Sequence, residues 1–220
     1  MMTKKEAVLD KIIAQGSLPL FYYDDAGVSL QVMRTLYKAG IRVFEYTNRG
    51  EQALNNFIAM KKLQQAEMPD LYLGIGTVKT TGEAETFLSA GADFVVAPVM
   101  NPAVGEIVHR HGLLWIPGCM TTTEIFNAQE NGAALIKIFP AGILGSKYIS
   151  GIRDIFPGQL FIPTGGVNLN AESINEWFRA GVCAVGLGSN FVTSEILNNQ
   201  LYNQLHNETL RVSEIIQTCK

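Results

Sequence analysis

Two side chains in this sequence have the type and setting for carbonyl chemistry. Lys137 lies within Ala133-Ala134-Leu135-Ile136-Lys137-Ile138-Phe139-Pro140, an apolar run that reads as a buried strand. Burial makes an ammonium costly and pushes a lysine pKa down. The neutral amine is then a nucleophile for carbonyl carbon, the opening step of Schiff-base catalysis. The competing reading is a side chain that runs past the strand end and leaves its charge in water. Glu45 follows Val43-Phe44 in a second apolar run. Beside the amine, its carboxylate could move the protons that carbinolamine formation and carbon–carbon cleavage require. Alone, it reads equally as a structural partner of Lys137 or Arg49. Arg49 offers a planar fork suited to a carboxylate, although an exposed arginine after a strand is ordinarily just solvated.

These residues need a scaffold, and the chain repeats one. A helical pattern, a glycine and an apolar run recur at Gly40, Gly91, Gly112, Gly132 and Gly181. Glycine takes the left-handed conformation just past a helix end, and a β-branched run then starts a strand. The repeats precede Val43-Phe44, Phe94-Val95-Val96, Leu113-Leu114-Trp115-Ile116, Leu135-Ile136 and Val182-Cys183-Ala184-Val185. Leu18 to Tyr22, Leu71-Tyr72-Leu73 and Leu160-Phe161-Ile162 bring the expected strands to eight. Helix starts agree: Asn101 caps before Pro102 at the first helical position, and Thr121 with Glu124 fits a capping box. Eight strands alternating with helices in 220 residues predict an α/β, single-domain (β/α)8 barrel, a TIM barrel, over 1–220. An N-terminal helix is expected over about 3–15 and a C-terminal helix over about 194–218. The competing doubly wound sheet would carry a glycine-rich fingerprint after its first strand; Tyr23-Asp24-Asp25-Ala26-Gly27 is none.

In a barrel the chemistry lies at the strand exits. Strand two ends at Glu45-Tyr46-Thr47-Asn48-Arg49, strand three at Gly74-Ile75-Gly76-Thr77 and strand four at Ala97-Pro98. Strand six carries Lys137 and ends at Phe139-Pro140. Strands seven and eight end at Gly165-Gly166 and Gly188-Ser189. Bare backbone there lets N–H groups approach a phosphate, while simple turn chemistry fits these glycines almost as well.

Composition closes other routes. A net charge of -3 leaves no footprint for nucleic acid. No apolar run is long enough for a membrane span, and no signal-type core follows Met1. Cys119, Cys183 and Cys219 match neither a disulfide framework nor a zinc pattern. These features predict a soluble cytoplasmic protein without a metal or cofactor. His109 and His111 read as helix-end cations or solvated side chains, and Cys119 as a packed thiol. Lys79, the rival amine at a strand exit, sits in polar Lys79-Thr80-Thr81-Gly82.

Glu45-Tyr46-Thr47-Asn48-Arg49, Gly74 to Val78, Gly91-Ala92-Asp93-Phe94, Pro117-Gly118 with Thr121 and Glu124, and Lys137 to Ala141 together resemble the KDPG/KHG aldolases. These cleave 2-keto-3-deoxy-6-phosphogluconate or 4-hydroxy-2-oxoglutarate, and the likeness runs from about Leu18 to about Phe191. It implies a class I, metal-independent aldolase, typically a homotrimer, with a small 2-keto acid as substrate. By that likeness Lys137 forms the Schiff base and Glu45 is the general acid/base. Arg49 and Thr77 hold the pyruvate-end carboxylate, Gly165, Gly166, Gly188 and Ser189 lie near the phosphate, and Pro98 and Phe139 wall the pocket. The sequence departs from the family pattern at Asn48, Gly50, Asn190 and the first strand exit, Phe21-Tyr22-Tyr23. Those changes bear on recognition of the far end of the substrate. The gluconate type is expected, with glyoxylate-releasing and phosphogalactonate activities, or an inactive sugar-phosphate binding barrel, as alternatives.

Overall fold

The repeating cassette becomes a regular succession of elements in a computed structural model, which describes residues 2–220. In chain order these are α1 (Lys4–Gln15), β1 (Ser17–Phe21), α2 (Ala26–Lys38), β2 (Val43–Thr47), α3 (Ala53–Glu67), β3 (Tyr72–Gly76) and α4 (Thr81–Ser89). Next come β4 (Phe94–Val96), α5 (Pro102–Arg110), β5 (Leu114–Ile116), β6 (Gly118–Cys119), α6 (Thr122–Glu130) and β7 (Leu135–Ile138). The chain ends with α7 (Ala141–Leu144), α8 (Ser146–Ile152), β8 (Leu160–Pro163), α9 (Ala171–Ala180), β9 (Val185–Leu187), α10 (Ser194–Asn198) and α11 (Tyr202–Cys219). All five cassette glycines have positive φ, as the helix-end reading requires. The Thr121–Glu124 capping box and the Asn101 cap before Pro102 both form.

The strands are parallel and make one α/β domain from two sheets, ordered β5-β4-β3-β2-β1-β9 and β6-β7-β8. Pro117, which has no N–H to donate, interrupts the expected fifth strand and leaves β5 and β6 on either side. At the opposite edge Thr164, just past β8, bridges in parallel to Gly186 of β9.

Strand alternation sorts the apolar residues into two cores. Phe44, Tyr46, Ile75, Val95, Trp115, Ile136 and Phe161 pack beneath the helices. Leu18, Val43, Phe94, Val96, Leu114, Ile116, Leu135 and Ile162 form the other core with Val8 and Ile12 of α1. Helix α1 therefore floors the second core. It is tied there by Lys4, whose Nζ lies 2.6 Å from Asp93, while Asp93 also binds Lys61 at 2.8 Å.

Two expected boundaries move. Strand β9 begins at Val185, not Val182, because the Val182 N–H still bonds to Trp177 O at the end of α9. The single helix expected over about 194–218 is broken: Gln200 takes a φ of 53°, and the Leu201 N–H returns to Ile196 O. That reversal redirects the chain so that Leu205, Val212 and Ile216 of α11 bury against the outer core.

Candidate active site

Lys137 and Glu45 belong by parity to the face of the second core. Lys137 lies two residues beyond Leu135 on β7, and Glu45 two beyond Val43 on β2, so each side chain points the same way as the apolar residue before it. The fold brings them together: Lys137 Nζ is 3.8 Å from Glu45 Oε2, and the two residues are 5% and 1% exposed. Lys137 is buried within a strand, so the snorkelling reading fails. The separation exceeds that of a charge-assisted hydrogen bond. Neither carboxylate oxygen of Glu45 has a hydrogen-bond partner in the protein, which is rare for a buried polar group outside functional sites.

Burial dominates the electrostatics of both groups. It pushes the Lys137 amine below its ordinary value, against the raising effect of Glu45, while the nearby Arg49 charge lowers it further. It pushes the Glu45 carboxyl above its ordinary value, against the lowering effects of Lys137 and Arg49. Desolvation thus favours a neutral amine beside a neutral acid. In that state the pair would be a nucleophile with a proton donor next to it.

The surrounding strands shape this pair. A Cβ on Gly76 would overlap Oε1 of Glu45, so the bare end of β3 is where the carboxylate rests. Thr77 follows with a φ of 63°, a strained conformation for a β-branched residue. It is flanked by bonds from Asn48 N to Gly76 O at 2.8 Å and from Val78 N to Val96 O at 3.3 Å. Gly118 pairs in register with Lys137, and a Cβ there would meet the Pro98 backbone, which places Pro98 beside the β6–β7 ladder. Arg49 is exposed on the loop after β2, and its charge reaches both members of the pair.

Phe139 connects the amine to the glycine-rich exits. Its ring centroid is 5.4 Å from Lys137 Nζ, and its edge would lie 3.1 Å from a Cβ on Gly165. Gly165, Gly166, Gly188 and Ser189 line one small cleft at the ends of β8 and β9. Gly165 and Gly166 have φ of 82° and 89°, so they are conformationally required as well as open.

Other expectations resolve differently. His109 is not a helix-end cation: burial lowers its pKa, its ring packs edge-on against Trp115, and Nε2 sits 3.1 Å from Asn131 O. His111 is exposed, with Nδ1 3.0 Å from Ile107 O. Cys119 is a packed thiol, 1% exposed, its pKa pushed up to about 12 by burial. Lys79 is exposed and away from the apolar interior. Among the described residues no group of three or more His, Cys, Asp or Glu could hold a metal ion, and no helix is long and apolar enough to cross a membrane. Sequence reasoning missed Gly76 as the seat of Glu45. The available signal was a glycine at alternate positions, 74 and 76, of an otherwise apolar strand. Tyr22 and Gly50, noted separately in the sequence, come into contact across the β1 and β2 exits.

Residues 9–207 match the family model described as KDPG and KHG aldolase. The chain is 36% identical over 154 residues to a 2-dehydro-3-deoxy-phosphogluconate aldolase of Treponema pallidum, covering 70% of this chain and 71% of that one. It is 28% identical over 214 residues to the Haemophilus influenzae protein of the same name, covering 96% and 98% of the two chains. A crystal structure of KDPG aldolase from Legionella pneumophila, with pyruvate captured as a covalent carbinolamine, superposes with a TM-score of 0.83 at 26% identity. That match covers 92% of this chain and 96% of the Legionella chain.

Proposed function

The chain belongs to the KDPG and KHG aldolase family, and on that footing we propose that it cleaves 2-keto-3-deoxy-6-phosphogluconate to pyruvate and glyceraldehyde 3-phosphate. The observation that carries the reading is the buried Lys137–Glu45 pair at 3.8 Å. The neutral Nζ of Lys137 attacks the C2 carbonyl to give a carbinolamine. Glu45 protonates its hydroxyl, water leaves, and an iminium forms. The ionised Glu45 then takes the proton from the C4 hydroxyl. The electrons of the C3–C4 bond flow into the iminium, the aldehyde departs, and an enamine remains. Glu45 returns its proton to C3, and water attacks the new iminium to release pyruvate and the free amine.

In this scheme the iminium is the electron sink, so the chemistry calls on neither a metal nor a cofactor. Arg49 and Thr77 hold the keto-acid carboxylate, a role supported by the Arg49 charge acting on both members of the pair. The glycine cleft with Ser189 receives the phosphate, and Phe139 and Pro98 wall the space between. We read the two sheets as one closed eight-stranded barrel spanning a single domain. The continuation of β5 into β6 across Pro117 and the Thr164–Gly186 bridge support closure. A cytoplasmic homotrimer completes the reading; exposed Val99, Met120, Phe126 and Ile143 are apolar surface that subunit contacts would cover.

The test is the rate of pyruvate release from three substrates: the 6-phosphogluconate-derived keto acid, its 6-phosphogalactonate counterpart and 4-hydroxy-2-oxoglutarate. The first should turn over with the highest kcat/KM. Faster cleavage of either other substrate would reassign the specificity, and no cleavage of any would remove the enzymatic reading.

A further inference from the structure

The loop that carries Arg49 rests on an aromatic ring from the neighbouring strand. Tyr22 directly follows β1, and a Cβ on Gly50 would overlap the Tyr22 hydroxyl and lie 2.7 Å from its Cε1. Gly50 does not have positive φ, so glycine is needed there for space and not for conformation. The same ring tilts against Tyr46, with centroids 5.7 Å apart. Tyr46 is itself fixed: its hydroxyl donates to Tyr23 O at 2.8 Å and accepts from Asn56 Nδ2 at 3.1 Å. The Tyr22 hydroxyl donates to Asp24. Burial, with the Asp24 carboxylate, pushes its pKa up to about 12, so it stays a phenol.

Gly50 is the residue after Arg49 and also opens the turn that leads into α3, since its carbonyl accepts from Ala53 N at 3.1 Å. The Arg49 N–H returns to Thr47 O at 3.0 Å. Residue 49 is therefore suspended between the end of β2 and a backbone seated on the Tyr22 ring.

We infer that Tyr22 is a positioning residue for Arg49: seated against the bare backbone of Gly50, it sets where the guanidinium stands. The inference rests on the reading that Arg49 holds the keto-acid carboxylate. A side chain at position 50 would lift the loop from the ring and move the guanidinium. Affinity for the keto acid should suffer, and the chemical step much less.

The experiment measures the pyruvate concentration that half-saturates borohydride trapping at Lys137, with kcat, KM and Tm, in the intact protein and its variants. Gly50→Ala should raise half-saturation about tenfold, the scale of a lost charge-assisted hydrogen bond, with kcat nearly unchanged. Adding Tyr22→Leu, which clears the space, should return the value toward that of the unmodified protein, a non-additive pair. In an Arg49→Met background Gly50→Ala should have no further effect. A lowered Tm with unchanged half-saturation, no recovery in the double variant, or an undiminished effect without Arg49 would each overturn the inference. If Gly50→Ala does not fold, Tyr22→Leu alone should raise half-saturation about threefold, and an unchanged value counts against the inference. Unmodified protein that fails to trap pyruvate removes the proposed function as well; trapping that Gly50→Ala leaves unaltered removes only this inference.

Discussion

Glu45 and Gly76 are complementary: the carboxylate of one fills the space that a Cβ on the other would occupy. Gly76 does not have positive φ, so its φ is no obstacle to alanine, and the nearest atoms a Cβ there would meet are those of the Glu45 side chain. Gly76→Ala should push Glu45 away from Lys137 and lower kcat about a hundredfold, within the usual range for a displaced acid/base. Steady-state pyruvate release checks this. A variant with near-normal kcat would show that the carboxylate need not rest on β3.

Glu45→Gln keeps the shape of the side chain and removes its proton. Turnover should fall about 10²- to 10⁴-fold. The pH dependence has a definite sign. Where Glu45 is ionised, its charge raises the pKa of Lys137 against the downward push of burial, so the Gln variant should move the acidic limb of imine formation to lower pH. Arg49→Met should move that limb the other way, because Arg49 lowers the same pKa. Trapping rates measured across pH read both shifts. Limbs that stay in place in both variants would mean the three charges do not interact.

The pair should also cost the fold stability. Lys137, with its folded pKa depressed, contributes fully above about 10.5 and loses that contribution as pH falls. Glu45, with its folded pKa raised, contributes fully below about 4.5 and loses it as pH rises. Near neutral pH both groups sit in the unfavourable window. Replacing both by apolar side chains, as Lys137→Met with Glu45→Leu, should stabilise the protein by about 1–4 kcal/mol and flatten the dependence of Tm on pH. A double variant with lower Tm than the parent would mean the pair supports the fold.

The buried Lys137–Glu45 pair was legible in the sequence because it obeys strand parity. Lys137 two residues past Leu135, and Glu45 two past Val43, had to share the face of the apolar residues before them. Helix starts at Thr121 and Asn101 were legible because a cap is a local interaction. What could not be read depended on distant parts of the chain. Gln200 carries no breaker signature, and its turn exists because α11 must reverse to bury Leu205, Val212 and Ile216. Val182 suits a strand by type, yet its N–H is taken by the end of α9. Gly76 looks like an ordinary strand glycine and Gly50 like an ordinary turn glycine until Glu45 and Tyr22 are seen in the space beside them.

The most direct test of the whole account is reduction with borohydride in the presence of pyruvate, followed by mapping of the adduct. The account predicts one covalent adduct per chain, on Lys137, which disappears in Lys137→Ala while that variant remains folded. An adduct that persists in Lys137→Ala, or that forms on Lys79 or another lysine, would contradict it.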